Sequence, residues 1–282
     1  MRLVKQRRAR DLAVINNPVV GVDEMLGWTR ELFTGEGSGK FNIPPELLEF
    51  GIELMKKYFV LSPDSKRRQM VLRKVLHTRE VVVAGVEIRE NEDVDWNNRM
   101  VGAVTFAHDF GRFPQAMLGS FSDIKTDFDH ASEGAKLIEK ENFFELASMG
   151  IDIKVLAEAV RQHSALEYRG KEVYVKFVRD ADKLGLLDFF HNDIDEFKVP
   201  RGSVTKGAIE AFLDGRLVPK EDLVNRIDVF LCWLSWQFDF NFTATRELVG
   251  SGGIRDYILE EIKKMDEDVW IKVISYQAKL TP

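Results

Sequence analysis

His108 and Asp109 stand side by side in FAHDFGRFPQ, with His77 upstream and Asp182 downstream in VRDADKL. Two imidazoles and two carboxylates are the donor types a divalent cation takes. Imidazole suits zinc, manganese, iron or nickel, and carboxylate oxygen tolerates all of these. All four residues lie on segments that read as buried helix, where a carboxylate without a partner is costly. A cation is the economical partner. The chain has five histidines, and His130 and His163 join His77 and His108 on inner faces or helix starts. One shared purpose, metal binding, accounts for all four. Arg112 follows closely, and its planar fork suits a phosphate or carboxylate. Lys183 adjoins Asp182, but a helix turns it about 100° away; it either reaches a substrate phosphate or is solvated.

The elements that must position these groups read as helices. After an arm over residues 1–20, helices are expected from Val22 to Phe33 and from Pro44-Pro45 to about Tyr58. A long one is expected from Ser62-Pro63-Asp64 to about Glu90. The long helix is apolar on two sides, Leu72, Val75, Leu76, Val82, Val83 and Val86 on one and Met70, His77, Val81, Ala84 and Ile88 on the other. That pattern marks a central helix. Taken alone, His77 reads as a neutral core histidine bonded to a backbone carbonyl. In the next helix, about 95–109, Val101, Val104, Thr105 and His108 keep helical spacing, and Gly111 is placed to stop it. Residues 110–129 read as loop or short turns, and Asp129 as an N-cap before His130. Leu156, Ala159, Val160 and His163 share an inner face on a helix ending near Gly170. Val175, Val178 and Asp182 share one from about Val173. Further helices are expected over 204–213, 220–239 and 254–265. The fold class is all-α, with N-terminal arm and helices over 1–60, a metal-binding core over 61–200, and a C-terminal helical extension over 201–282 in the same globule.

Composition narrows the function. The net charge of -6 gives nucleic-acid binding no overall electrostatic support. The five positive charges of MRLVKQRRAR read as a solvated arm or as a contact for an anionic partner. The single cysteine, Cys232, cannot form an internal disulfide, which fits a reducing compartment. No apolar run is long enough to span a membrane and no signal-peptide segment follows the basic start, so the cytoplasm is expected and a membrane partner is not. GEGSGK (35–40) fails as a phosphate loop, because Thr34 stands where Gly is needed and Phe41 where Ser or Thr is needed. In FLCWLSWQFDFNF (230–242), Trp233, Trp236 and Phe240 keep helical spacing, which reads as core rather than a ligand box.

The ordered set His77, His108-Asp109 and Asp182 resembles the HD-domain superfamily of metal-dependent phosphohydrolases. The resemblance covers roughly residues 77–190 and includes HDFGRF (108–113), DHASEG (129–134), QHS (162–164) and DADKL (180–184). It implies a helical bundle, and it selects Asp182 over Asp180 as ligand because the family's last metal Asp precedes a basic residue. Asp180 is left a supporting or surface role. Some members hold one ion through H, HD and D. Others add two histidines in these positions and hold two ions, bridged by the HD aspartate. Here both added histidines are present, so two ions are expected, the rival being one ion with His130 and His163 lining the substrate pocket. Gly185 departs from the family, which often has an acid there; the acid returns at Asp188. Arg79 either closes a salt bridge to a core acid or touches substrate.

The expected function is hydrolysis of a nucleotide or other small phosphorylated metabolite by a metal-activated water, with Asp109 orienting the water and Arg112 and Lys183 neutralising the substrate. The cofactor is one or two divalent ions, with Mn, Fe, Ni, Zn and Mg undistinguished; an oligomer is compatible. The alternatives are a di-iron oxygenase similar to myo-inositol oxygenase and a non-catalytic sensor of metal or of a phosphorylated effector.

Overall fold

The computed structural model describes residues 11–17, 19–35, 37–141, 143–193 and 199–280, and the regular structure there is helical, as expected. The basic segment 1–10 and the side chain of Asp188 lie outside the described residues. The chain forms two compact units. The first takes residues up to Ala165 together with Gly170–Gly185, and the second takes Leu166–Arg169 and everything from Leu186. The division therefore falls inside a helix rather than at the Val199-Pro200 turn, and the helices before residue 60 belong to the same unit as the core.

The first unit contains α1 (residues 11–16), α2 (Val22–Thr34), α3 (Pro45–Leu61), α4 (Ser65–Asn91), α5 (Asn98–Ala107), α6 (Arg112–Ala116), α7 (Asp123–Thr126), α8 (His130–Lys140), α9 (Phe144–Ser148), α10 (Ile153–Gln162) and the first part of α11 (Val173–Asp193). Helix α4 is its centre. Asp64 caps it by accepting from the Arg67 N–H at 2.8 Å. Val71, Val75, Val81 and Ile88 are fully enclosed along its length, and α2, α3, α5 and α6 pack around it. The end of the expected arm is not free. Residues 11–16 are helical, Ile15 is buried, and Asp11 accepts from the Trp28 indole at 2.9 Å.

The second unit holds α12 (Lys206–Leu213), α13 (Arg226–Ser235), α14 (Thr243–Ser251), α15 (Ile254–Met265) and α16 (Glu267–Leu280). The single helix expected over 220–239 is divided. A reciprocal cap between Asn225 and Asp228 starts α13, and short 3₁₀ turns flank it at Lys220–Asp222 and Trp236–Phe238. Gly253, at φ 69°, separates α14 from α15. Trp233, Phe240 and Cys232 join the core of this unit. No helix among the described residues is long and apolar enough to cross a membrane.

Candidate metal centre

His77 projects from the middle of α4. Helix α5 stops at Ala107, earlier than its apolar spacing suggests, and His108 and Asp109 sit in the turn that follows. There the Phe110 N–H bonds to Ala107 O at 3.1 Å and the Arg112 N–H to Asp109 O at 2.8 Å. Gly111 is not a left-handed helix stop, since its φ is -70°. Its reason is a close approach: a Cβ there would lie 1.9 Å from the His130 carbonyl oxygen, and one on Gly134 would lie 3.1 Å from Gly111 N. Backbone thus meets backbone, and the first turn of α8, capped by Asp129, delivers His130 to Asp109. Gly185 serves α11 in the same way, for a Cβ there would come within 2.9 Å of Val81 N. That is one helical turn from His77, so Asp182 can reach it. Helix α10 ends at Gln162 rather than near Gly170, with His163 at its C-cap. Arg179, buried on α11, donates to the Gln162 and His163 carbonyls at 3.2 and 3.3 Å, satisfying acceptors the helix end leaves open.

All six expected ligands converge, in two triads. In the first, His77 Nε2 lies 3.3 Å from His108 Nε2 and 3.1 Å from Asp182 Oδ1, and His108 Nε2 lies 3.8 Å from that oxygen. In the second, His130 Nε2 and His163 Nε2 are 3.3 Å apart and each is 3.6 Å from Asp109 Oδ1. Asp109 belongs to both, because its Oδ2 is 3.4 Å from the Nε2 atoms of His77 and His108. An ion bonded at about 2.1 Å separates neighbouring donors by about 3.0 Å in an octahedron and about 3.4 Å in a tetrahedron. The edges of both triads fall at or slightly above those values.

Ring orientation supports the same fit. His108 Nδ1 donates to Thr105 O and His163 Nδ1 to Val160 O, both at 2.7 Å. His130 Nδ1 donates to the Asp123 carboxylate, 2.8 Å from Oδ2. A neutral imidazole whose Nδ1 carries the proton presents a lone pair at Nε2. When both rings are neutral, His130 and His163 aim two lone pairs at each other, an arrangement a cation between them would relieve. Burial lowers the pKa of His130 to about 4 against the pull of Asp123, and burial with the nearby Lys74 charge lowers His77 to about 4. Both are neutral donors at pH 7. Burial would lower His108 too, but the Asp109 and Asp182 charges outweigh it and raise its pKa; a proton there occupies the place of a cation. Burial works to raise Asp109 and Asp182, yet Lys74 and His108 hold Asp109, and His77 and His108 hold Asp182, well below the usual carboxylate range.

The expected substrate cations are arranged differently. Arg112 spends its Nη1 on Gln115 Oε1, Phe121 O and Asp123 Oδ1 at 2.6, 2.7 and 2.9 Å, and its Nε is 3.5 Å from Asp109 Oδ1. It braces Asp123, which in turn orients His130. Lys183 is half-buried on α11; the ammonium set against Asp109 is instead Lys74, with Nζ 2.7 Å from Oδ2. Lys74, Asp123 and Arg179 were not foreseen, although Lys74 precedes His77 by three residues and so shares its helix face. Arg79 pairs with its neighbour Glu80 at 3.2 Å. Asp180 is fully buried, which removes the surface reading. Comparison with known proteins returned nothing: no family model, curated protein or solved structure matches this chain.

Proposed function

We propose that the chain is a metal-dependent phosphohydrolase of the HD-domain type, acting on a nucleotide or other small phosphorylated metabolite. The observation that carries the reading is Asp109, with one oxygen among the donors of each triad. A shared carboxylate suits two ions a few ångströms apart, the spacing used to clamp attacking and leaving oxygens of a phosphoryl group. Four imidazoles and two carboxylates also suit the first-row metals better than magnesium or calcium.

Bound ions supply a water that is acidic near neutrality and Lewis acidity toward a phosphoryl oxygen. The chain's own groups do the rest. Asp109 ties the two positions together. His108, His130 and His163 are orientated through Nδ1, so their donors need no reorganisation. Lys74 brings a positive charge beside Asp109, where it neutralises an incoming phosphate. The ring of Phe121 lies beside both cations, with Lys74 Nζ 5.2 Å and the Arg112 guanidinium 5.9 Å from its centroid.

The test is release of inorganic phosphate from a panel of nucleotides and sugar phosphates, with the protein loaded in turn with manganese, nickel, iron and magnesium. Metal-dependent release supports the reading. Full metal loading without turnover of any ester favours a sensor. Oxygen consumption by a mixed-valence di-iron centre favours an oxygenase similar to myo-inositol oxygenase.

A further inference from the structure

The second unit contains a cavity of about 330 Å³, at the small end of the roughly 300–1,000 Å³ typical of small-molecule sites. Its apolar lining includes Trp233, Phe238, Phe240 and Ile258, and two cations, Arg246 and Arg255, stand at exposed positions of the same wall. Neither guanidinium pairs with a carboxylate among the described residues. Arg246 donates to the Phe240 carbonyl, and Arg255 to Gln277 Oε1 at 2.9 Å. A guanidinium has five N–H donors, so each keeps donors and an uncompensated charge. Gln237 lines the cavity too, and its buried Nε2 finds no acceptor among the described residues. An apolar body flanked by unspent donors and uncompensated positive charge describes the negative of one ligand type.

We propose that this cavity is a binding site for a small amphipathic oxyanion, an aromatic or branched apolar body carrying a single acidic head. The body packs against Trp233, Phe238 and Phe240. The head accepts from Arg246 and Arg255, whose fork geometry suits carboxylate and phosphate alike. The site is built entirely from the second unit, shares no residue with the metal triads, and stands or falls independently of the hydrolase reading.

Titration calorimetry of the full chain tests it with phenylacetate and octanoate as carboxylates, benzylphosphonate as a phosphate-like head that cannot be hydrolysed, and phenylacetamide and octanol as neutral counterparts. The acids bind at least tenfold more tightly than their neutral counterparts, and the tighter of the two acid types identifies the head group. Arg246→Met and Arg255→Met each weaken acid binding about tenfold or more and leave metal content unchanged. Gly250 lies in helix α14 on the cavity wall, and a Cβ there meets nothing within 4 Å. Gly250→Phe therefore adds a large ring at the cavity wall without a backbone clash and weakens binding, while Gly250→Ala binds as the parent does. Equal affinity for neutral and acidic compounds, acid binding indifferent to both arginine substitutions, or no binding by any of these compounds at millimolar concentration overturns the proposal.

Discussion

The two triads differ in how their donors are held and in how much negative charge they carry. The first has two carboxylate oxygens, Asp182 Oδ1 and Asp109 Oδ2, facing two imidazoles, and three elements bring them: the middle of α4, the turn after α5, and α11. The second has one carboxylate oxygen, Asp109 Oδ1, and its extra negative charge sits one layer out, on Asp123 behind His130. The same residue types thus give one position its charge directly and the other through a ring. A cation in the first position would be held chiefly by its own ligands. One in the second would depend on a relay that runs from Arg112 and Gln115 through Asp123 to His130.

Asp109→Ala tests the part common to both. It removes an oxygen from each triad and leaves Lys74 facing histidines, so on the proposed reading both ions are lost and phosphate release falls on the order of a thousandfold or more. Elemental analysis and turnover on the same sample check it. Asp182→Ala and His130→Ala then separate the triads. Each variant retains one ion per chain, in different positions, and loss of both ions from His130→Ala would show a single cooperative site. Asp123→Asn is milder. It keeps the shape and removes the outer charge, so affinity at the second position falls about 10–100-fold while the first is unchanged; metal titration resolving two binding steps reads this directly. The smallest effect is in the metal-free protein. His77 and His130 take protons near 6.5 when unfolded but only at about 4 when folded. Between those values the unfolded state binds more protons, so stability falls as pH drops. Asp109 and Asp182, depressed in the fold, contribute stability that is lost only below about pH 4, outside that range, and His108, raised, opposes the two lowered histidines. Thermal unfolding of the metal-free chain therefore occurs at lower temperature at pH 5 than at pH 7.5, and saturating metal widens the gap by adding proton competition at every ligand.

The candidate ligands were legible from residue type and order: helical spacing turned His77, His108 and His163 inward, the Asp129 cap put His130 at a helix start, and the family resemblance chose Asp182 over Asp180. Their supports were not. Asp123 sits on a four-residue helix inside a stretch that reads as loop, and its partner His130 is seven residues away, a spacing without meaning until the chain folds. Arg112 was read as a substrate contact from its chemistry; Gln115 is its neighbour one turn along α6, but Phe121 and Asp123 meet it only through the turn between α6 and α7. Gly111 was taken as a helix stop because glycine so often is one; contact with the His130 carbonyl across the fold leaves no trace in periodicity. Helices α14 and α16 went unrecognised for a related reason: each lies beside another helix with few intervening residues, and Gly253 marks only one of those breaks.

The approach of Gly111 to His130 would bear on which ions the cluster could take. Side chains can change rotamer when a larger or smaller cation arrives, but two stretches of main chain in van der Waals contact cannot be pushed closer. The gap between the loop bearing Asp109 and the helix bearing His130 therefore behaves as a fixed ruler on its short side. Were an ion held between Asp109 and His130, the main chain rather than the side chains would set the least separation available to it.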